Sequence, residues 1–366
     1  MAGTDSRLSK IILASLCLAL SACGGDDASA PAPPPAPTPT PAPAPGAVKS
    51  VSLVAGGGAE DGGSCGSADG LGADARLGYA RDMAVANDGT VYVLEDSCPG
   101  TLSTPQRVRS ITASGQVTTV ATGFAGTLQT GELPPSFQVG GQLAVADSGA
   151  VYLSEVVWDG DFLRPVYSPG MASGVWKITP TGAQAFAGLQ SQSMSPIDGQ
   201  GLNAKFDRVQ NMVFGQGALI ITEYGGTTIR KVTEDAVVTT MTLPYRPDMA
   251  DNTGELYQRT GDWFQGQGVL TRFDGQVIPV PGLTYVFAIS SDGTVYGIKL
   301  DTNGSGYRPY RRKADGTTEL IKGPDGGAMP PWDSSSHISV SNLRLDREGN
   351  LYVAHGYQIW KVSFYK

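Results

Sequence analysis

Histidine is nearly missing from this chain of 366 residues, which carries only two. His337 sits in a Ser-rich stretch and His355 follows a short apolar run, and neither stands in a Ser/His/Asp or Cys/His arrangement. Nucleophilic catalysis therefore has no constellation to rest on. Charge is scarce as well, and its sign is wrong for nucleic acid: 34 acidic side chains face 26 basic ones, for a net charge of −8. That balance argues against a nucleic-acid partner and against broad contact with anionic lipid. The apolar run Ile11 to Leu20 is too short to span a bilayer.

What is present at the N-terminus reads as export machinery. Arg7 and Lys10 precede the apolar run, which ends in Leu20-Ser-Ala-Cys23. This pattern resembles the lipobox of bacterial lipoproteins and implies a signal peptide over 1–22 with Cys23 as the lipidated first residue; the other reading is an ordinary secretory signal. The resemblance implies an exported protein held in the envelope through Cys23, with Gly24 favouring the outer over the inner membrane. Residues 23–46 form a tether, of which Ser29 to Gly46 is almost entirely Pro, Ala and Thr. Such a segment cannot build a core and takes a polyproline II form, a semi-rigid stalk of roughly 45 Å. Cleavage leaves the mature chain at net charge −9. Of the four cysteines, Cys65 and Cys98 remain as an even pair in an oxidising compartment, which predicts a disulfide contributing roughly 3 kcal/mol; metal binding by the two is the alternative.

Residues 47–366 repeat. A small polar residue, Gly, any residue, an apolar residue and Tyr or Ile recur as Asp88-Gly-Thr-Val-Tyr92, Ser148-Gly-Ala-Val-Tyr152, Gln216-Gly-Ala-Leu-Ile220, Thr253-Gly-Glu-Leu-Tyr257, Asp292-Gly-Thr-Val-Tyr296 and Glu348-Gly-Asn-Leu-Tyr352. Each precedes a further strand signature such as Ile229-Arg-Lys-Val232 or Ile359-Trp-Lys-Val362. Short β-rich segments joined by tight turns read as a four-stranded meander, and one such sheet cannot bury both of its faces alone. The expectation is an all-β fold, a six-bladed β-propeller of four-stranded antiparallel blades. The last unit stops after its third strand, and Val48 to Ala55 supplies the missing one, so the N-terminal strand should pair onto the last blade.

Two units also carry Asp69-Gly-Leu-Gly-Ala-Asp-Ala-Arg-Leu77 and Asp198-Gly-Gln-Gly-Leu-Asn-Ala-Lys-Phe206. This composite resembles the NHL-repeat family, over about residues 48 to 366. The resemblance implies a propeller and no single activity, because propellers host binding modules and enzymes alike.

Aligning the units gives two rings of side chains. Glu95, Glu155, Glu223, Thr260, Lys299 and His355 follow the second strand; Asp82, Gln142, Asn211, Asp248, Val286 and Asn342 precede or open the first, innermost one. Antiparallel neighbours put both rings at one edge, so Asp82, Gln142, Asn211, Asp248, Asn342, Glu95, Glu155, Glu223 and His355 are the candidate channel-face ligand site. Oxygen-only donors suit Ca²⁺ or Mg²⁺, with Asp82, Asn211 and Asp248 nominated as the metal ligands. Against this, the carboxylates of the outer ring can serve backbone N–H groups, and the inner polar side chains can simply hydrate the channel. The recurrent Lys177, Lys231, Arg272, Arg312 and Lys361 read as structural pairing or a solvated face. Trp176 and Trp360, which alternate with Arg109, Arg230 and Arg311, read as inter-blade packing.

The layout points to a membrane-anchored envelope lipoprotein whose propeller is a non-catalytic scaffold binding protein, peptide or glycan. The loops 159–171 and 302–309, with Trp158, Phe162, Tyr167 and Tyr307, supply contact-prone side chains. The alternative is a divalent-cation-dependent hydrolase resembling lactonases on related propellers, with Asp82, Asn211, Asp248, Asn342 and Glu223 as ligands. Peptide-amidating lyases resemble it less, since their zinc centre needs several histidines. A third reading is a purely structural spacer in an envelope assembly.

Overall fold

The computed structural model describes residues 44–58, 63–96, 98, 107–122, 138–158, 174–179, 182–188, 196–207, 209–223, 228–262, 265–300, 306–324 and 340–366, without the side chains of 138–140 and 155–158. The described residues belong to one compact unit, Pro43–Lys366. Cys23, the tether up to residue 43, His337 and the loop 159–171 lie outside the described residues.

Six antiparallel sheets are present. Their inner strands are Tyr79–Val85, Gln138–Val145, Val209–Gly215, Met249–Ala250, Tyr285–Ile289 and Val340–Leu345, for blades 1 to 6. Each inner strand packs on the inner strand of the next blade, and blade 6 packs back on blade 1, so the sheets close into a ring. The strands form where β-branched and aromatic residues cluster, and the turns between them are fixed locally. In blade 1, Asp88 Oδ1 accepts the Thr90 N–H at 2.9 Å while Gly89 takes a φ of 81°, which a side chain would resist. Asp292 and Thr294 repeat that bond at 2.8 Å in blade 5. Blade 3 differs, turning on Gln216 and Gly217 alone, both at positive φ, a two-residue hairpin of the type that matches strand twist.

The core is divided among the blade junctions. Six apolar clusters each draw on two neighbouring blades: Leu94, Val108, Leu143 and Leu153 between blades 1 and 2, and Met212, Leu219, Tyr152 and Val175 between blades 2 and 3. Trp176 and Trp360 lie half-buried at two of these junctions, as inter-blade packing requires. The recurrent third-strand cations act locally, since Lys177, Arg272 and Lys361 sit directly across from Tyr152, Tyr257 and Tyr352 of the second strand. Lys361 Nζ lies 5.2 Å from the Tyr352 ring centre and Lys177 Nζ 6.0 Å from that of Tyr152.

Val48–Ala55 is the outer strand of blade 6, registered from Val48 against Phe364 to Ala55 against Ile359. The closure extends one turn further. Tyr365 bonds Gly46 and Ala47 through its backbone at 2.6 and 2.8 Å, and Arg311 Nη1 of blade 5 donates to the Gly46 carbonyl at 2.5 Å. Cys65 and Cys98 are disulfide-bonded with their Cα atoms 5.7 Å apart. The four-stranded expectation needs one addition. Blades 1 and 3 carry a fifth, two-residue strand, Gly70–Leu71 and Gly199–Gln200, on their outer edges. Both come from the Asp-Gly-x-Gly segments, which continue into single 3-10 turns.

Candidate functional site

The two rings read from the sequence separate in space. Glu95 is fully buried inside blade 1 and Glu223 is buried inside blade 3; neither lines the central channel. Glu95 Oε1 accepts from Arg109 Nη1 at 2.8 Å and from Arg107 Nη1 at 3.4 Å, and its Oε2 accepts the Gly78 N–H at 2.8 Å. Arg109 then reaches Asp69 Oδ1 at 2.7 Å, and Asp69 also accepts from the Thr119 N–H and hydroxyl. Blade 3 repeats the arrangement, with Arg230 between Asp198 at 2.8 Å and Glu223 at 3.4 Å, and the Thr240 hydroxyl on Asp198.

The first Asp of the Asp-Gly-x-Gly composite is thus an anchor for a buried arginine. Hydrogen bonds from Thr119 and Arg109 outweigh the burial of Asp69 and hold its carboxyl below the usual range. Those from Thr240 do the same for Asp198. Burial pushes the Glu223 carboxyl up, against the Asp207 N–H and Arg230. These residues tie the strands of a single blade to its Asp-Gly-x-Gly segment, so their assignment to the channel face is corrected. His355 is likewise buried away from the cavity, and the Glu155 side chain lies outside the described residues. The signal was legible: arginine replaces tryptophan at this third-strand position in both blades that carry the composite.

The inner ring does face the channel. A cavity of about 330 Å³ runs along the axis, lined by Asp82, Gln142, Asn211, Asp248 and Asn342 with Arg259, Arg344, Phe214 and Phe287. In blades 1, 3 and 6 the inner strand slips register just before Asp82, Asn211 and Asn342, and such bulges re-aim side chains. Blade 5 departs from the sequence alignment. Its slip falls between Val286 and Ala288, so Val286 turns into an apolar junction and Phe287 lines the channel.

These side chains bind one another across the blade junctions. Asp82 Oδ2 accepts the Leu143 N–H at 2.8 Å, and Gln142 Oε1 accepts the Met212 N–H at 2.6 Å while its amide donates to Asn211. Asp82 Oδ1 is ion-paired with Arg344, whose Nη1 donates to Asn342 Oδ1 at 2.7 Å. Asp248 accepts from the Arg259 backbone N–H at 2.9 Å and from its Nε at 3.0 Å, and Arg259 Nη1 donates to the Val286 carbonyl at 2.8 Å. Burial lifts the Asp248 carboxyl above its ordinary range against the pull of Arg259. Arg259 and Arg344 escaped the sequence reading because each stands outside the aligned ring positions. Arg344 is two residues past Asn342 on the same face of a strand.

The opposite end of the channel is crossed by turns. Arg347 of blade 6 is ion-paired with Asp147 of blade 2, and Asn252 of blade 4 donates to the Arg347 carbonyl at 3.3 Å. These blades are not neighbours in the ring, so the contacts span the axis. The Ser291 N–H bonds Asn252 Oδ1 at 2.9 Å, and Asn87 bonds the Asp147 carbonyl at 2.7 Å. Among the described residues, the polar ring is therefore approached from the other face.

The nominated metal set does not fit a hard cation. Asp82 and Asp248 are each engaged by an arginine, and among the described residues no group of three or more His, Cys, Asp or Glu is placed to hold a metal ion. Ca²⁺ needs six to eight oxygen ligands and ordinarily several free carboxylates. The arrangement supplies instead a pocket of fixed donors and acceptors in which Asp82 and Asp248 are each paired with an arginine and Asp251 bonds within its own turn.

No protein-family model and no curated protein matches the chain. Solved structures do resemble it. One is a protein of unknown function from Bacteroides thetaiotaomicron, 16% identical over 86% of this chain and 76% of that one, with a TM-score of 0.50. Another is an auxiliary nutrient binding protein from the same organism, 10% identical over the same shares, with a TM-score of 0.51. At these identities the likeness shows the propeller fold and nothing finer.

Proposed function

We propose that this chain is an exported lipoprotein, anchored through Cys23, whose NHL-type propeller is a non-catalytic binding module with the open end of its channel as the recognition site. The observation that carries this reading is the inner ring, where polar side chains from several blades converge on one cavity and are held by each other. Such a set is pre-organised, and pre-organised polar groups bind without first losing side-chain freedom. Hydrolysis on a divalent cation is disfavoured by the donor set, since Asp82 and Asp248 already have guanidinium partners and Asp251 is bonded within its own turn.

Export is supported by the Cys65–Cys98 disulfide, a bond that persists in oxidising compartments. The nutrient-binding role named for one structural neighbour is compatible with a recognition site in the ring. The test has two arms on the full chain. Radiolabelled palmitate should enter the wild-type protein and not Cys23→Ala, with the variant released to the soluble fraction; equal labelling removes the lipoprotein reading. Equilibrium dialysis of wild type against envelope extract should retain material that Asp248→Asn does not. Retention of nothing, or equal retention by both, removes the channel as the recognition site.

A further inference from the structure

We infer that the channel site takes one neutral, hydroxyl-rich ring, a monosaccharide either free or at the end of a glycan. This inference rests on the binding reading above and narrows it to a ligand class.

Size comes first. A cavity of about 330 Å³ is at the lower end of ligand sites, which run from about 300 to 1,000 Å³. It holds a single ring and excludes a folded peptide. The far end is crossed by the Arg347–Asp147 pair, so the ligand presents a terminus and does not thread the ring.

Charge narrows the class further. The chain as a whole is at −8, yet the cavity lining pairs Asp82 with Arg344 and Asp248 with Arg259, and its third carboxylate, Asp251, is taken up in its own turn by the N–H groups of Thr253 and Glu255 and by the Thr253 hydroxyl. An anionic ligand has to compete with a carboxylate for each guanidinium, and a cationic one with a guanidinium at Asp82 and Asp248 or with the turn N–H groups at Asp251. Burying an uncompensated charge is costly, so a net-charged ligand is disfavoured at both pairs.

The groups that remain suit hydroxyls. A carboxylate offers about four lone-pair sites, and a guanidinium has five N–H donors. Asp248 spends two acceptor sites on Arg259, while Arg259 spends Nε on Asp248 and Nη1 on a carbonyl, which leaves both residues with capacity over. An acceptor and a donor held side by side match a hydroxyl, which donates and accepts at once, and neighbouring ring hydroxyls repeat that need. Phe287 adds an aromatic surface to the lining, suited to the apolar C–H face of a sugar ring.

Isothermal titration of the full chain tests this. The panel holds glucose, galactose, mannose, xylose, arabinose and N-acetylglucosamine, the disaccharides of these, the charged relatives glucuronate, galacturonate and glucosamine, and free amino acids and dipeptides. At least one neutral sugar should bind saturably, and its uronate and amino counterparts at least tenfold more weakly. A disaccharide binding as tightly as its terminal unit marks a glycan end as the source, whereas loss of affinity in every disaccharide marks a free sugar; either agrees with the inference. Asp248→Asn should weaken the binding about tenfold or more. Arg259→Lys, which keeps the charge and loses the fork, should do the same if Asp248→Asn fails to fold.

Tighter binding of a uronate, an amino acid or a dipeptide overturns the ligand class and leaves the channel as a binding site. A neutral sugar that binds both variants as well as wild type overturns the placement. If no panel member of any class binds, the inference fails, and the envelope-extract dialysis decides separately whether the channel recognises anything.

Discussion

Replacing Arg109 with methionine isolates the buried network of blade 1. Arg109 is fully buried and bonds Glu95 at 2.8 Å, Asp69 at 2.7 Å and the carbonyls of Ala68 and Arg76 at 3.1 and 3.2 Å. Removing one member of a buried pair costs about 3–5 kcal/mol, because the other charge is stranded. Glu95 keeps Arg107 at 3.4 Å and the Gly78 N–H, which places the loss near 3 kcal/mol. Asp69 is half-exposed, with 46% of its side chain accessible, so its share is about 1 kcal/mol or less. For a unit of this size each kcal/mol moves the melting temperature by about 2 °C, so the two shares together give a drop of about 6–8 °C. Urea titration followed by intrinsic fluorescence measures the loss. The cycle with Glu95→Leu separates the pair from its surroundings: Glu95→Leu with Arg109→Met should cost less than the two single changes added, by at least about 1 kcal/mol. A loss below 1 kcal/mol for Arg109→Met, or strict additivity in the cycle, refutes the account of the Asp-Gly-x-Gly segment as an anchor for a buried arginine.

Deleting Val48–Ala55 should abolish cooperative unfolding by removing the outer strand of blade 6 and baring its edge, whereas ending the chain's N-terminus at Pro43 should leave the melt unchanged; equal melts disprove the closure. Ala236→Gly should stabilise the protein by about 1 kcal/mol in urea titration, since Ala236 sits at a φ of 67° where the matching turns use Gly115, Gly275 and Gly316. The Glu223 carboxyl is raised by burial above its ordinary 4.5, so its contribution is fully present below that value and is lost as pH rises through the folded pKa; Glu223→Gln should flatten the decline of stability over that window in a pH series. Reduction of Cys65–Cys98 should lower the melting temperature, and an unchanged melt shows that the bond carries no stability.

The propeller was legible because its determinants are local. The small-polar-Gly turn and the alternation around it set each hairpin, and the missing fourth strand of the last unit announced the closure by Val48–Ala55. The site was legible only in part. Asp82, Gln142, Asn211, Asp248 and Asn342 came from counting back from the turn glycines, and that count holds in blades 1, 3 and 6, where a bulge precedes the residue, and in blades 2 and 4, whose inner pairing shows no slip. It failed at Val286, where the bulge is displaced and brings Phe287 to the channel instead. It also failed at Glu95 and Glu223, which stand on second strands, one removed from the axis, and are taken up by the buried Arg109 and Arg230. Charge balance was the deeper omission. Counting carboxylates suggested a cation, but Arg259 and Arg344 lay outside the aligned positions and pair with Asp248 and Asp82.

The most direct test of the recognition site is a crystal structure of the full chain saturated with the tightest neutral sugar of the panel. The account predicts one ring in the axial cavity, its hydroxyls on Asp248 and Arg259, with the Asp82–Arg344 pair intact and the Arg347 end closed. A ligand seated on the outer loops, or a cation coordinated by Asp82, Asn211 and Asp248, contradicts it.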